Sequence, residues 1–182
     1  MRFADRIITL KDGRQCTLCP TTPDRAADMI EYLKITAAQT PFLLRFPDEV
    51  DFTVDGEEKI LREKLEDEHS VMMMAIVDGK IAGNCSINPI GMKRKIRHRC
   101  SMGIAQKEEF CGLGIGTAMF NYLFELARQI GYEQMELGHM DTNNRAHALY
   151  TKMGFIETGR NARAFKLDEN TYLDEIIMYK LL

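Results

Sequence analysis

The chain has 182 residues, with 24 Lys and Arg against 27 Asp and Glu, for a formal net charge of −3. Hydrophobic residues make up 45% and charged residues 28%, which excludes a disordered chain, a collagen-like repeat and a small disulfide-stapled protein. A surface tuned throughout for nucleic acid would be clearly basic, and this one is not.

Residues 15–19 read as a first strand. Thr22 and Pro23 follow as a cap and a first-turn proline. Ala26, Met29, Ile30 and Leu33 then share one helix face, and Thr40-Pro41-Phe42 ends the helix. A second helix is expected from Asp55, with Glu58 three residues on as in a capping box. Residues 71–77 form a continuous apolar run, Asp78-Gly79 is a hairpin turn signal, and 80–90 is the partner strand. A further strand is expected over 97–104. Met119, Leu123, Leu126, Ala127 and Ile130 mark a helix over 114–130, which Gly131 stops. Residues 134–140 read as a strand and 144–153 as a helix closed by Gly154. Segments 156–165 and 172–181 read as a final antiparallel pair.

This order predicts a single α/β (α+β) domain over residues 1–182, with a mixed, mostly antiparallel sheet of about seven strands and about four helices. No stretch approaches the roughly 20 apolar residues of a membrane helix. The first ten residues lack the apolar core of a signal peptide. The five cysteines, an odd count without a secretion signal, point to reduced thiols in a cytoplasm. Cys16-x-x-Cys19 stands alone in an apolar strand, which suits buried thiols better than a zinc site.

The chemistry concentrates in two segments. Residues 104–116 run I-A-Q-K-E-E-F-C-G-L-G-I-G from a strand into a helix. Gly112, Gly114 and Gly116 alternate where the helix begins. The first-turn amides there have no intrahelical acceptor, so such a terminus suits phosphate. A P-loop would need Lys then Ser or Thr after the glycines, and here Thr117-Ala118 follows. A dinucleotide fingerprint would need G-x-G-x-x-G in a parallel unit, and the spacing here is G-x-G-x-G. A tight turn without a ligand and a nucleotide-phosphate binder both stay open on this segment alone. The second segment, 141–155, reads D-T-N-N-R-A-H-A-L-Y-T-K-M-G-F.

Together these segments resemble the GNAT superfamily of N-acyltransferases. Residues 111–116 match its R/Q-x-x-G-x-G/A loop except for Cys111, and residues 143–155 match N-x-x-A-x-x-L-Y-x-K-x-G-F at every fixed position. The motifs lie 27 residues apart, with a helix and a strand between. The resemblance implies the GNAT fold, with the fourth and fifth strands splayed to admit acetyl-CoA, which serves as acyl-donor substrate with no metal. The other substrate is an amine acceptor on a small molecule or peptide. Nucleic acid and membrane are not implied as partners, and the family's habit of dimerising extends the expectation to a homodimer.

By the same resemblance, backbone of Ile104 and Gln106 meets the pantetheine, and an amide at Ile104 or Ala105 holds the oxyanion. The amides of Cys111, Gly112, Leu113, Gly114, Ile115, Gly116 and Thr117 surround the diphosphate, Asn143 meets the pantetheine arm, and Tyr150 is the general acid for the departing thiolate. A non-catalytic acyl-CoA sensor of the same fold is the rival reading, and the retained Tyr150 argues against it.

Cys111 costs the loop a phosphate-binding side chain. It also precedes a positive helix terminus, although no partnered His is apparent. For the general base, His139, a carboxylate or water remain. Phe42, Leu43, Leu44 and Phe46 either line an acceptor pocket or pack, and Tyr172, Asp174 and Glu175 either meet a cationic amine or face solvent. Lys93, Arg94, Lys95, Arg97 and Arg99 crowd one short run and leave 19 basic against 27 acidic residues elsewhere. That run reads as a solvated hairpin tip, or as a contact for the coenzyme's 3′-phosphate or for an acidic partner.

Overall fold

The computed structural model describes residues 1–182. One eight-stranded sheet organises the chain. Its strands are β1 (Arg6–Thr9), β2 (Gln15–Pro20), β3 (Val71–Val77), β4 (Lys80–Pro89), β5 (Arg99–Gln106), β6 (Gln134–Met140), β7 (Ile156–Lys166) and β8 (Tyr172–Leu181). They lie in the order β1-β2-β3-β4-β5-β6-β8-β7, and every neighbouring pair is antiparallel except β5 and β6. The helices are α1 (Ala26–Gln39), α2 (Val54–Glu66), α3 (Ile115–Ile130) and α4 (Asn144–Lys152).

Strand alternation explains the layers. Met73, Ala75, Cys85, Ile87, Cys100 and Met135 point to one face and meet Met119, Phe120, Leu123 and Leu126 of α3. Met74 and Ile81 point to the other and meet Met29 and Tyr32 of α1 and Leu61 of α2. With both faces covered, β3 must be apolar throughout, which is why V-M-M-M-A-I-V shows no alternation in sequence. Asp78 and Gly79 both take positive φ, 51° and 77°, as the two-residue hairpin requires. Gly131, at φ 99°, closes α3 by returning its amide to the carbonyls of Ala127 and Arg128.

Four boundaries differ from expectation. β1 adds an eighth strand, a four-residue edge whose side chains alternate in exposure. Pro23–Arg25 form a single 3-10 turn ahead of α1, and the Thr22 side chain caps nothing. α2 starts at Val54 rather than Asp55, because Thr53 Oγ1 accepts from the Gly56 amide at 3.2 Å and takes the capping role. β5 starts at Arg99 because the amides of Ile96 and Arg97 turn back to the Lys93 carbonyl and that of Arg99 to the Ile96 carbonyl.

Candidate active site

β5 and β6 pair only at Arg99 with Gln134, Cys100 with Met135 and Ser101 with Glu136, and then part. A bidentate ion pair from Arg99 to Glu136, with Nη2 to Oε2 at 2.8 Å, fastens the closed end. Arg99 holds the Glu136 carboxyl below its ordinary range, against an opposing push from burial.

Beyond that point one edge of β5 is free. The Lys107 amide donates to the Ala82 carbonyl and the Ile90 amide to the Arg99 carbonyl. Antiparallel alternation therefore turns the polar groups of Ser101, Gly103 and Ala105 to β4, and those of Ile104 and Gln106 into the gap. Of the two residues expected to offer an oxyanion amide, this leaves Ile104, since the Ala105 amide faces Asn84.

A cleft of about 1210 Å³ runs through the sheet at this opening. It is lined by Ile104, Ala105, Gln106, Cys111, Gly112, Gly114, Gly116, Thr117, Asn143 and Tyr150, so the structure brings together most of the residues singled out in the sequence. Leu113 and Ile115 stand outside it. Ile115 is fully buried in the core under α3, and Leu113 packs against that core while its carbonyl accepts from the Lys11 amide. Any contact they make with a ligand is through backbone amides.

The glycines do different jobs. Gly112 and Gly114 take φ of 83° and 100°, and a Cβ at either would meet nothing within 4 Å, so backbone conformation requires them. Gly116 is helical, and its Cβ would stand 3.0 Å from Gln106 Oε1 and 3.2 Å from Leu149 Cδ2, so a side chain there would press on both. The first amide of α3 to find a helical acceptor is Ala118, which donates to Gly114. Those before it face the cleft with the positive end of the helix dipole.

Gln106 Nε2 is buried with no partner, its side chain lying against Gly83 of β4 and Gly116 of α3. An unmatched buried donor costs about 1–3 kcal/mol, and a ligand carbonyl or phosphate in the cleft would relieve it. The sequence points only to the backbone of Gln106, because the fate of its side chain depends on packing against Gly83 of β4 and Gly116 of α3.

Asn143 Oδ1 caps α4 by accepting from the Ala146 amide at 3.2 Å, which leaves the amide nitrogen for a ligand. Tyr150 is 7% exposed and sits among Phe120, Phe155 and His139, at ring separations of 5.8, 6.2 and 5.6 Å. Burial pushes its hydroxyl up to about 12.

The remaining candidates sort clearly. His139 lines the cleft but is tied at both ring nitrogens, with Nδ1 2.9 Å from the Met140 carbonyl and Nε2 3.2 Å from His147 Nδ1. The Cys111 thiol is pushed up by burial, with Arg145 opposing, and donates to the Lys107 carbonyl. It is a protonated neighbour of the loop rather than a thiolate. All five cysteines are free, and burial raises Cys16 and Cys19 to about 11 each. Phe42, Leu43 and Leu44 line the cleft, whereas Phe46 lines only a side hollow of about 180 Å³. No three His, Cys, Asp or Glu side chains gather in a way that could hold a metal ion.

The basic run at 93–99 falls at the start of β5, whereas the glycine loop follows its end. Eight strand residues, about 26 Å, separate them. None of its five cations lines the cleft. The cations by the glycine loop are Lys11, whose amide bonds the Leu113 carbonyl, and Arg145, beside Cys111.

A family profile described as acetyltransferase (GNAT) family matches residues 35–155. The chain belongs to that family. An acetyltransferase of the GNAT family from Streptococcus pneumoniae superposes with a TM-score of 0.86 at 24% identity, over 92% of this chain and 99% of that one. The ribosomal-protein-alanine N-acetyltransferase of Brucella melitensis gives 0.79 at 20% identity, over 91% and 99%. YncA of Salmonella typhimurium, solved with its cofactor acetyl-CoA, gives 0.78 at 16% identity, over 92% and 94%. The superpositions cover more of the chain than the profile match over residues 35–155 does.

Proposed function

We propose that the chain is an N-acetyltransferase that moves the acetyl group of acetyl-CoA to a primary amine of a small molecule or a peptide. The observation that carries this is the free edge of Ile104 and Gln106, opening beside the amides at the head of α3 and within one cleft with Tyr150. The gap suits an amide-bearing arm that can take the place of a missing strand. Gln106 Nε2 gives that arm a buried donor, and the terminus of α3 with Arg145 and Lys11 suits its phosphates.

In this reading the neutral amine attacks the thioester carbonyl, and the Ile104 amide meets the developing oxyanion. Removing such a donor commonly costs about 3–4 kcal/mol of barrier stabilisation. Tyr150 faces the departing sulfur. With its phenol near 12 and an ordinary thiol near 8.5, complete proton transfer would run uphill by about 5 kcal/mol. Tyr150 therefore serves as a hydrogen-bond donor in the transition state, and the proton that finally neutralises the thiolate comes from the attacking nitrogen. No covalent enzyme intermediate is required.

Two structural relatives are named as acetyltransferases of ribosomal proteins, which keeps a peptide N-terminus among the acceptors. We place the protein in the cytoplasm, consistent with five free thiols and with no helix long and apolar enough to cross a membrane.

Calorimetry with acetyl-CoA, followed by a thiol-release screen over a broad amine library, tests the proposal. Acetyl-CoA binding with release on specific amines supports it. Binding without release on any amine gives the sensor reading instead, and no binding overturns both.

A further inference from the structure

The cleft opens on both faces of the sheet, and the two openings differ in chemistry. On β6, His139 points to the α3 and α4 face beside Tyr150, so Gly138 and Met140 point to the α1 face. Glu175 of β8 pairs with Met140 and shares that second face. Its side chain does not run out to solvent. It lies across Gly138, where an added Cβ would stand 2.9 Å from the Glu175 carboxyl carbon and overlap Oε1.

Gly138 has no left-handed φ to require a glycine. The missing side chain therefore serves the carboxylate, by letting it lie over the strand at the edge of the cleft. One oxygen is positioned, since Asn161 Nδ2 donates to Oε2 at 2.8 Å. The other, Oε1, receives no donor from the protein.

Glu175 lines the cleft beside Met140, Phe165 and Leu43. The other carboxylate of the lining, Glu108, belongs to the loop ahead of the glycines. Asp174, the other acid of this stretch, is already engaged by Arg160 and by the Arg163 amide. Glu175 thus offers an open anionic oxygen beside Met140 on the α1 face, next to apolar walls, whereas Glu108 stands by Gln39 at the end of α1.

Resting on the acetyltransferase reading, we infer that Glu175 binds the ammonium of the acceptor, and that the acceptors are cationic primary amines with an apolar segment beside the amino group. The cation meets Oε1, the apolar segment lies against Met140, Phe165 and Leu43, and Gly138 keeps the carboxylate in place. The role is one of binding and selection. After capture the ammonium gives its proton to solvent water, and the neutral nitrogen then attacks.

The test compares wild type with Glu175→Gln and Gly138→Ala. The first keeps size and can keep the Asn161 contact, and the second displaces the carboxylate without removing it. Thiol release is measured with tyramine, spermidine and an Ala-initiated tetrapeptide as cationic amines, and with p-anisidine as an amine uncharged at neutral pH. The expected result is a fall of at least twentyfold in kcat/KM on every cationic amine that wild type accepts, mostly through KM. The p-anisidine rate should stay within twofold and acetyl-CoA affinity should be unchanged. Equal losses on charged and uncharged amines, or no loss in Glu175→Gln, overturn the inference and leave the acetyltransferase reading intact. A wild type that binds acetyl-CoA but acetylates nothing removes that reading, and this inference with it.

Discussion

His139 Nε2 stands 3.2 Å from His147 Nδ1, while His139 Nδ1 stands 2.9 Å from the Met140 carbonyl. A carbonyl only accepts, so Nδ1 carries the hydrogen, and Nε2 is left to accept from His147. Neither nitrogen of His139 is free to take a proton from an amine, although the ring lines the cleft. The geometry is that of a satisfied buried histidine supporting Tyr150, whose ring centroid lies 5.6 Å away.

His139→Ala should therefore act first on stability. It removes a buried ring and leaves the Met140 carbonyl unpaired, at an expected cost of about 2–3 kcal/mol. The pH profile of kcat/KM should keep its shape. A thermal melt and a pH-rate series check this, and loss of the acidic limb of the profile would restore His139 as the base.

For Tyr150→Phe the expectations are reversed. The hydroxyl makes no hydrogen bond within the protein, and the ring packing against Phe120 and Phe155 survives the change. Stability should move by less than about 0.5 kcal/mol. Turnover should fall about a hundredfold with acetyl-CoA affinity nearly normal, since a donor to the leaving group acts in the transition state. Unaltered turnover would remove Tyr150 from the chemistry.

Gly114→Ala and Gly116→Ala separate backbone strain from crowding. At Gly114 the φ of 100° penalises alanine by about 1–2 kcal/mol although space is open, so the melting temperature should drop. Gly116→Ala gains about 1 kcal/mol of helix propensity, but its methyl presses on Gln106 Oε1 at 3.0 Å. That variant should melt near wild type and bind acetyl-CoA about tenfold more weakly by calorimetry.

These contrasts show what could be read before the fold was known. Gly112, Gly114 and Gly131 were legible because a local conformation requires them, and a positive φ is decided within a few residues. Tyr150 and Asn143 were legible through their spacing in one motif. β1 was not, since Arg6–Thr9 is a four-residue edge with half its side chains in water. The starts of α2 and β5 are ambiguous in the sequence because Thr53 and Asp55 can both cap, and because the amides of Ile96, Arg97 and Arg99 turn back on their own loop. The orphaned Gln106 side chain and the placement of Glu175 depend on strand register across the chain. The one local sign was Gly138, an isolated glycine inside a strand, which marks a close approach by another group.

The Arg99–Glu136 pair gives a prediction that depends on pH. It spans the paired end of β5 and β6, from Arg99 at the first rung to Glu136 at the last, with side chains 33% and 19% exposed. Partial exposure limits its contribution to about 1 kcal/mol. Arg99 lowers the Glu136 pKa in the folded state, so this stabilisation is present above the unfolded carboxylate value of about 4.3. It is lost as pH falls through the lower folded value. Glu136→Gln should thus be less stable than wild type by a constant margin from pH 5 to 8, and the margin should be smaller at pH 3 than at pH 7. Urea unfolding at pH 7 and pH 3 measures both. Because the pair fastens the closed end of the gap, Glu136→Gln should also weaken acetyl-CoA binding severalfold at pH 7. A stability margin without that weakening would show that the Cys100–Met135 and Ser101–Glu136 backbone rungs hold the gap's geometry unaided.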